Sequence, residues 1–360
     1  MTSAAIRELR KNFPDAHITL VVRKAVYPLA ELCPYVNEVL IFPVDDIKNI
    51  LTANGICHMI AAGLEMSLNH FWKRRYDLAF QLGVEGFVHL RSLMIYLSGA
   101  KNRIGIIREP LDKFFYTHPL SINSNKLIHE NLRTLYILSA VGLKVEKNDI
   151  EVWFNGADLY TARQFLGNFG EGRIKVAVGI GSQNASRKYP VEKYLVAFKE
   201  IIEKGASLII IGGPSELDDA KFLEENLPAE FVKNIVKFKP DYRVTAAAIS
   251  LADIYLGNDT GTQHIAAAFK KPVIMVSRVA KDRRKVFPNV VPDLEVFYPW
   301  RTESIVIRPS HQLEGCREHP NWTGCVADKP HCITQIEPSE IVRAFDDMIY
   351  FKKTIRFKEC

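Results

Sequence analysis

From about residue 172 to 276 the sequence alternates apolar runs with amphipathic ones, and this alternation limits the fold more than any other feature. RIKVAVGIG (173–181), ASLIIIGG (206–213), NIVKF (234–238) and the run from Asp253 to Leu256 read as strands. Between them, 190–204, 215–226 and 242–251 carry helical spacing, and the first opens on Pro190, which suits a helix's first turn. Strands separated by helices run parallel, with the helices covering the sheet. The first half repeats the pattern. It places helices over 3–12, near 28–32, and over 57–72, 87–98 and 129–143, and strands in HITLVVR (17–23), EVLIF (38–42), YDLAFQL (76–82) and RIGII (103–107). The expectation is an α/β protein of two doubly wound domains facing a cleft. The first is bounded as 1–155 and the second as 172–335, with NFGEGR (168–173) as hinge and a helix at 338–352 in the tail 336–360.

The length of 360 residues agrees with two domains of roughly 150–180 residues each. Composition is that of a soluble globular chain. No apolar run reaches the ~18–20 residues that span a bilayer, and MTSAAIRELRKNF lacks the apolar core of a secretion signal. A cytoplasmic protein is expected. Cys33, Cys57, Cys316, Cys325, Cys332 and Cys360 are too scattered for a disulfide framework. The spacing of Cys316, Cys325 and Cys332 matches no paired metal knuckle, so reduced thiols and no metal site are expected. The net charge is +6, and WKRRY (72–76) and KDRRK (281–285) read as solvated faces that could meet phosphate, acidic sugars or a membrane surface. No zinc finger or RNP-like strand is present, so nucleic acid is not an expected partner.

Ligands of open α/β sheets sit beyond the carboxyl ends of the strands. In the second domain those ends carry Gly179-Ile180-Gly181-Ser182 through Arg187-Lys188, then Gly212-Gly213-Pro214-Ser215-Glu216, then Asp259-Thr260-Gly261 before a helix with His264 in its first turns. Glycine turns, two cations, a carboxylate and a helix N-terminus suit a nucleotide diphosphate. A dinucleotide cofactor is a poor fit: GIGSQN puts Asn184 where a third glycine belongs, and no acidic residue ends the strand SLIIIGG. No cofactor is expected. The first domain offers only Arg23-Lys24 and Arg103 to a phosphate, which suggests that it holds the acceptor.

These segments resemble glycosyltransferase family 9, the ADP-heptose:lipopolysaccharide heptosyltransferases. LADIYLGNDTGTQHIAAAFKKPVIMV resembles that family's strand, Asp-(Ser/Thr)-Gly, His-x-Ala-Ala and Pro-Val pattern. SRKYPVEKY (186–194) resembles its basic-aromatic-Pro segment, and IGGPSE (211–216) its Gly-Gly-x-x-Glu turn. The first domain resembles the family's in 13–42 and 76–106. After PVIMVS the chain departs from the usual glycine turn with Arg278-Val279-Ala280-Lys281, and the Cys316–Cys332 segment departs in spacing.

The resemblance implies a GT-B fold of two Rossmann-like domains and metal-independent, inverting transfer. The implied donor is a nucleotide sugar such as ADP-heptose. The implied acceptor is a lipopolysaccharide-core or other cell-surface glycan, reached at the cytoplasmic face of the inner membrane with peripheral membrane contact. Asp259, Thr260, Gly261 and His264 would line the donor's diphosphate and sugar, Ser182 and Arg187 or Lys188 would bind the diphosphate, and Glu216 would hold the ribose. Helix capping by Asp259 and core packing by His264 stand as the plainer readings. Another GT-B enzyme such as a nucleotide-sugar epimerase, or a binding relative without activity, are the alternatives.

A doubly wound domain normally opens with a central strand, whereas this sequence opens on the helix and strand that would follow it. The first sheet is therefore expected to lack its first strand. The family's catalytic Asp, on the turn after that strand, is expected upstream of Met1 and matches no residue here.

Overall fold

The computed structural model of the protein describes residues 1–42, 53–83, 88–107, 110–122, 129–238, 241–282, 293–313 and 330–356. It divides into two compact units, Met1–Ile150 and Glu151–Cys360.

In the first unit α1 (Ser3–Asn12) leads into β1 (Thr19–Arg23), α2 (Tyr27–Ala30) and β2 (Glu38–Phe42). Then follow α3 (Ala53–Met66), a π-turn (Ser67–Phe71), α4 (Trp72–Arg74), β3 (Leu78–Phe80), α5 (Val88–Leu97), β4 (Asn102–Ile106), β5 (His118–Leu120) and α6 (Glu130–Ser139). All pairings are parallel, but the strands form two sheets, β1–β2 and β3–β4–β5. Among the described residues no strand pairs with the second edge of β1 or β3. The two sheets start side by side, for the Tyr76 hydroxyl, just ahead of β3, donates to Thr19 Oγ1 at 2.7 Å. Helix α1 buries Ala4, Ala5 and Leu9 against Ile104, Ile106 and Leu138. Its Glu8 is fully buried, accepts from the backbone N–H of Glu146 at 2.9 Å and pairs with Arg7 and Lys11.

In the second unit the order is α7 (Gly156–Leu166), β6 (Ile174–Gly179), α8 (Val191–Glu203), β7 (Ala206–Ile211), α9 (Leu217–Asn226), β8 (Val232–Asn234), α10 (Tyr242–Ser250), β9 (Ile254–Asn258), α11 (Gly261–Ala268), β10 (Val273–Val276), β11 (Ser304–Ile307) and a C-terminal helix, Pro338–Arg356. One six-stranded parallel sheet results, in the order β11-β10-β9-β6-β7-β8. Strands covered by helices on both faces read as continuous apolar runs, and every residue of β7, β9 and β10 is buried. The segment 168–173 lies inside this unit, between α7 and β6.

One strand reading needs correction. Within 234–238 only Asn234 is strand; the strand is Val232–Asn234, and Val236–Phe238 is a 3-10 turn. The Asn234 side chain accepts from the backbone N–H of Val236 at 3.0 Å and so turns the chain out of the sheet. Helix α7 and strands β5 and β11 were not legible, the strands because each is too short to show a period.

Candidate functional site

The chain leaves β6 toward β7 and β8 on one side and returns through β9 toward β10 and β11 on the other. The switch point is therefore between β6 and β9, where such sheets open a crevice at their carboxyl ends. Two glycines let those strands close together: a Cβ on Gly257 would lie 2.3 Å from the Gly179 carbonyl oxygen, and one on Gly179 would lie 2.0 Å from the Tyr255 hydroxyl. Beyond β6, Gly181 passes against Glu216, since a Cβ there would come within 2.7 Å of its carboxylate. The loop then folds on Asn184, whose Oδ1 accepts from the backbone N–H and hydroxyl of Ser186, while Ser182 Oγ accepts from the Asn184 N–H.

Asn258, fully buried at the end of β9, fastens this loop. Its Nδ2 donates to the Ile180 carbonyl, and its Oδ1 accepts from the Tyr189 backbone N–H at 3.2 Å and the Tyr194 hydroxyl at 2.8 Å. Burial pushes the Tyr194 and Tyr255 phenols well above the ordinary range, so both keep their protons, and Tyr194 donates to Asn258.

Asp259 is also buried. Its Oδ2 lies 3.9 Å from a terminal nitrogen of Arg187, and its Oδ1 accepts from the Gln263 side chain at 3.1 Å. The N-cap of α11 is Thr260, whose side chain makes no capping bond, so the plainer reading of Asp259 as the cap is not met. In the first turn of α11 the Gln263 N–H bonds the Thr260 carbonyl at 3.2 Å, and the positive end of the helix dipole favours an outside acceptor at this end. His264 follows on α11, its ring edge-on to Phe297 with centroids 6.4 Å apart.

Arg187 and Lys188 turn to different partners. Lys188 bonds Asp219 at 2.6 Å and approaches Glu216 at 3.9 Å. Glu216 accepts from the Gly213 N–H at 2.9 Å, and its other oxygen accepts from the Ser215 hydroxyl. Three strand ends are thus linked, β6 to β9 through Arg187–Asp259 and β6 to β7 through Lys188–Glu216. Cations, hydroxyls and helix-start N–H groups beside two ordered carboxylates can hold an anion and its neutral hydroxylated substituents together.

All eight residues singled out from the sequence lie at these ends. Sequence reasoning passed over Asn258, Asp219 and Gln263, although a buried amide closing an apolar strand was a readable signal. Arg278, buried after β10, was taken only as a departure from the family pattern. Arg103 donates to the Phe115 and Ala100 carbonyls and lies over the Tyr96 ring. Cys33, Cys57 and Cys332 are free thiols; Cys316, Cys325 and most of KDRRK lie outside the described residues. Among the described residues no cluster of His, Cys, Asp or Glu is arranged to hold a metal ion.

The family model of glycosyltransferase family 9 (heptosyltransferase) matches residues 73–285. Lipopolysaccharide heptosyltransferase 3 of Escherichia coli is 21% identical over 286 residues, covering 76% of this chain and 78% of its own length. The glycosyl transferase family 9 structure from Veillonella parvula superposes with a TM-score of 0.74 at 16% identity, covering 97% of this chain and 93% of the other. The E. coli heptosyltransferase WaaC, solved with ADP, superposes with a TM-score of 0.65 at 17% identity, covering 96% and 94%. The chain has the GT-B architecture of Rossmann-like α/β units and belongs to glycosyltransferase family 9, the heptosyltransferase family.

Proposed function

We propose that the protein transfers a heptose or related sugar, with inversion, from a nucleotide diphosphate donor to a glycan acceptor of the cell surface. ADP-heptose is the donor we favour, since the similar WaaC was solved with ADP. The observation that carries the reading is the convergence of Arg187, the uncapped start of α11 and the Gly181 loop at the switch point. In this reading the diphosphate meets Arg187, Ser182, Thr260 and the first N–H groups of α11. Negative charge grows on the leaving diphosphate as the glycosidic bond breaks, and donors already fixed in place stabilise it without reorganisation. Asp259 holds Arg187 and Gln263 in position and keeps its carboxylate toward the sugar with His264. Glu216 accepts from ribose hydroxyls with lone pairs that Gly213 and Ser215 leave over. Lys188, held by two carboxylates, positions Glu216.

The acceptor is taken to be lipid-linked and reached from the cytoplasmic side, with peripheral membrane contact. No helix among the described residues is long and apolar enough to cross a membrane. A relative that binds donor without transferring it is the second reading, favoured by the interrupted sheet of the first unit. A panel of nucleotide sugars read by thermal shift and by sugar transfer to a lipopolysaccharide-core acceptor tests both. Stabilisation by ADP-sugars with transfer supports the enzyme, stabilisation without transfer supports the binder, and selective stabilisation by UDP-sugars alone contradicts the donor assignment.

A further inference from the structure

The first unit carries an apolar surface that its own core does not use. Ile60, Leu64, Leu68 and Trp72 are exposed at 40%, 39%, 55% and 48%, and they succeed one another every fourth residue from α3 through the π-turn into α4. Four residues overshoot one α-helical turn, so such a row drifts sideways along an ordinary helix. The π-turn at Ser67–Phe71, with its wider i→i+5 winding, undershoots and brings Leu68 and Trp72 back beneath the row. The opposite side of the same helix is packed, with Met66 and Phe71 buried against Met94. Trp72 closes the row, its indole N–H donating to the Leu97 carbonyl at 3.0 Å while half the ring faces solvent.

Charge sits at the same end. Lys73, Arg74 and Arg75 follow at once and are all exposed, Arg75 closing the helix in the left-handed region at φ 53°. Arg74 pairs with Glu38 at 3.2 Å. Glu65 is the acidic residue among the described residues of this helix, about two turns away from the cations.

We propose that this row is the membrane-facing surface of the protein and that its partner is a bilayer surface bearing anionic headgroups. The proposal deepens the peripheral-membrane part of the reading above and rests on it for the partner's class. A helix lying in the interface buries one apolar stripe, places a Trp at the headgroup boundary and sets basic residues among the phosphates. The row is one side chain wide and about 18 Å long, which falls short of the ~800 Å² per partner of a standard protein interface. A second copy of the chain is therefore the less fitting occupant.

The test is flotation of the whole protein with phosphatidylcholine vesicles, with and without phosphatidylglycerol, none carrying glycolipid. Wild type is expected to float only with phosphatidylglycerol present, with a blue shift of tryptophan emission. Leu64→Gln with Leu68→Gln is expected to weaken binding roughly tenfold or more, and Lys73→Gln with Arg75→Gln roughly fivefold per charge. Both leucines are already exposed, so the melting temperature and its shift on adding ADP should not change, which separates this surface from the donor site. Absence of wild-type flotation, equal flotation of the leucine variant, or a dimer that the leucine variant abolishes would each overturn the proposal.

Discussion

Asn258 and Tyr189 are joined across 69 residues of sequence, the backbone N–H of Tyr189 donating to Asn258 Oδ1 at 3.2 Å. With the Ile180 and Tyr194 bonds this makes one amide the link between the end of β9 and the loop beyond β6. Asn258→Ala leaves three buried groups without that partner, at about 1–3 kcal/mol for each one left unsatisfied. Urea unfolding should show a loss of at least ~2 kcal/mol, together with weaker ADP binding. Unchanged stability would mean that the clamp is incidental.

Asn258→Asp is the sharper variant. The introduced carboxyl loses the donor facing the Ile180 carbonyl, and burial raises its folded pKa above the ordinary ~3.9. A raised acid destabilises the fold when ionised, so the deficit relative to wild type should shrink as pH falls from 7 toward 5. A deficit independent of pH would contradict the buried donor–acceptor geometry.

Asp259→Ala should cost about 1–3 kcal/mol of stability through the buried Gln263 amide it leaves without that acceptor, and not through a lost helix cap, because Thr260 is the N-cap of α11. It should weaken donor binding roughly tenfold, or about 1.4 kcal/mol, by releasing Arg187 and Gln263. Calorimetric titration with ADP and ADP-sugars checks this. Normal affinity with a lowered melting temperature would return Asp259 to a structural role.

Binding and turnover should survive EDTA. Arg187 and the start of α11 supply the positive charge that a divalent ion would otherwise bring. Activity lost in EDTA and restored by magnesium would refute this.

Glu8 sets an acid limit on the first unit. Burial pushes its pKa up, but the Glu146 N–H and the Lys11 and Arg7 side chains outweigh that and hold it below the ordinary value. A carboxylate lowered in the fold contributes stability above its unfolded pKa of ~4.3, lost as pH falls through the lower folded value. Glu8→Gln should therefore cost about 1–3 kcal/mol near neutrality and less in acid. Equal costs at pH 7 and pH 3 would contradict the assignment.

The parallel sheet of the second unit was legible because buried strands such as Ala206–Ile211 are predominantly apolar runs closed by glycine. Glycine turns and the Asp-Thr-Gly step marked the site for the same reason: they stand where those runs stop. What the sequence withheld was partner choice. Nothing in Arg187-Lys188 says that one faces Asp259 and the other Asp219, since that depends on how three strand ends pack. Asn258 carried a readable signal, an amide closing an apolar strand, but its partners 64 to 78 residues away did not. The row from Ile60 to Trp72 reads in sequence as one more amphipathic helix, and only its burial distinguishes the side that faces outward.

The central claim is that a nucleotide diphosphate sits at the carboxyl ends of β6, β7 and β9. Hydrogen–deuterium exchange of the whole protein with and without saturating ADP tests it most directly. The account predicts slowed exchange in 180–189, 212–219 and 257–265, with Arg187→Ala abolishing the effect at the same ADP concentration. Protection confined to residues 1–150, or none in the three loops while ADP is bound, would contradict it.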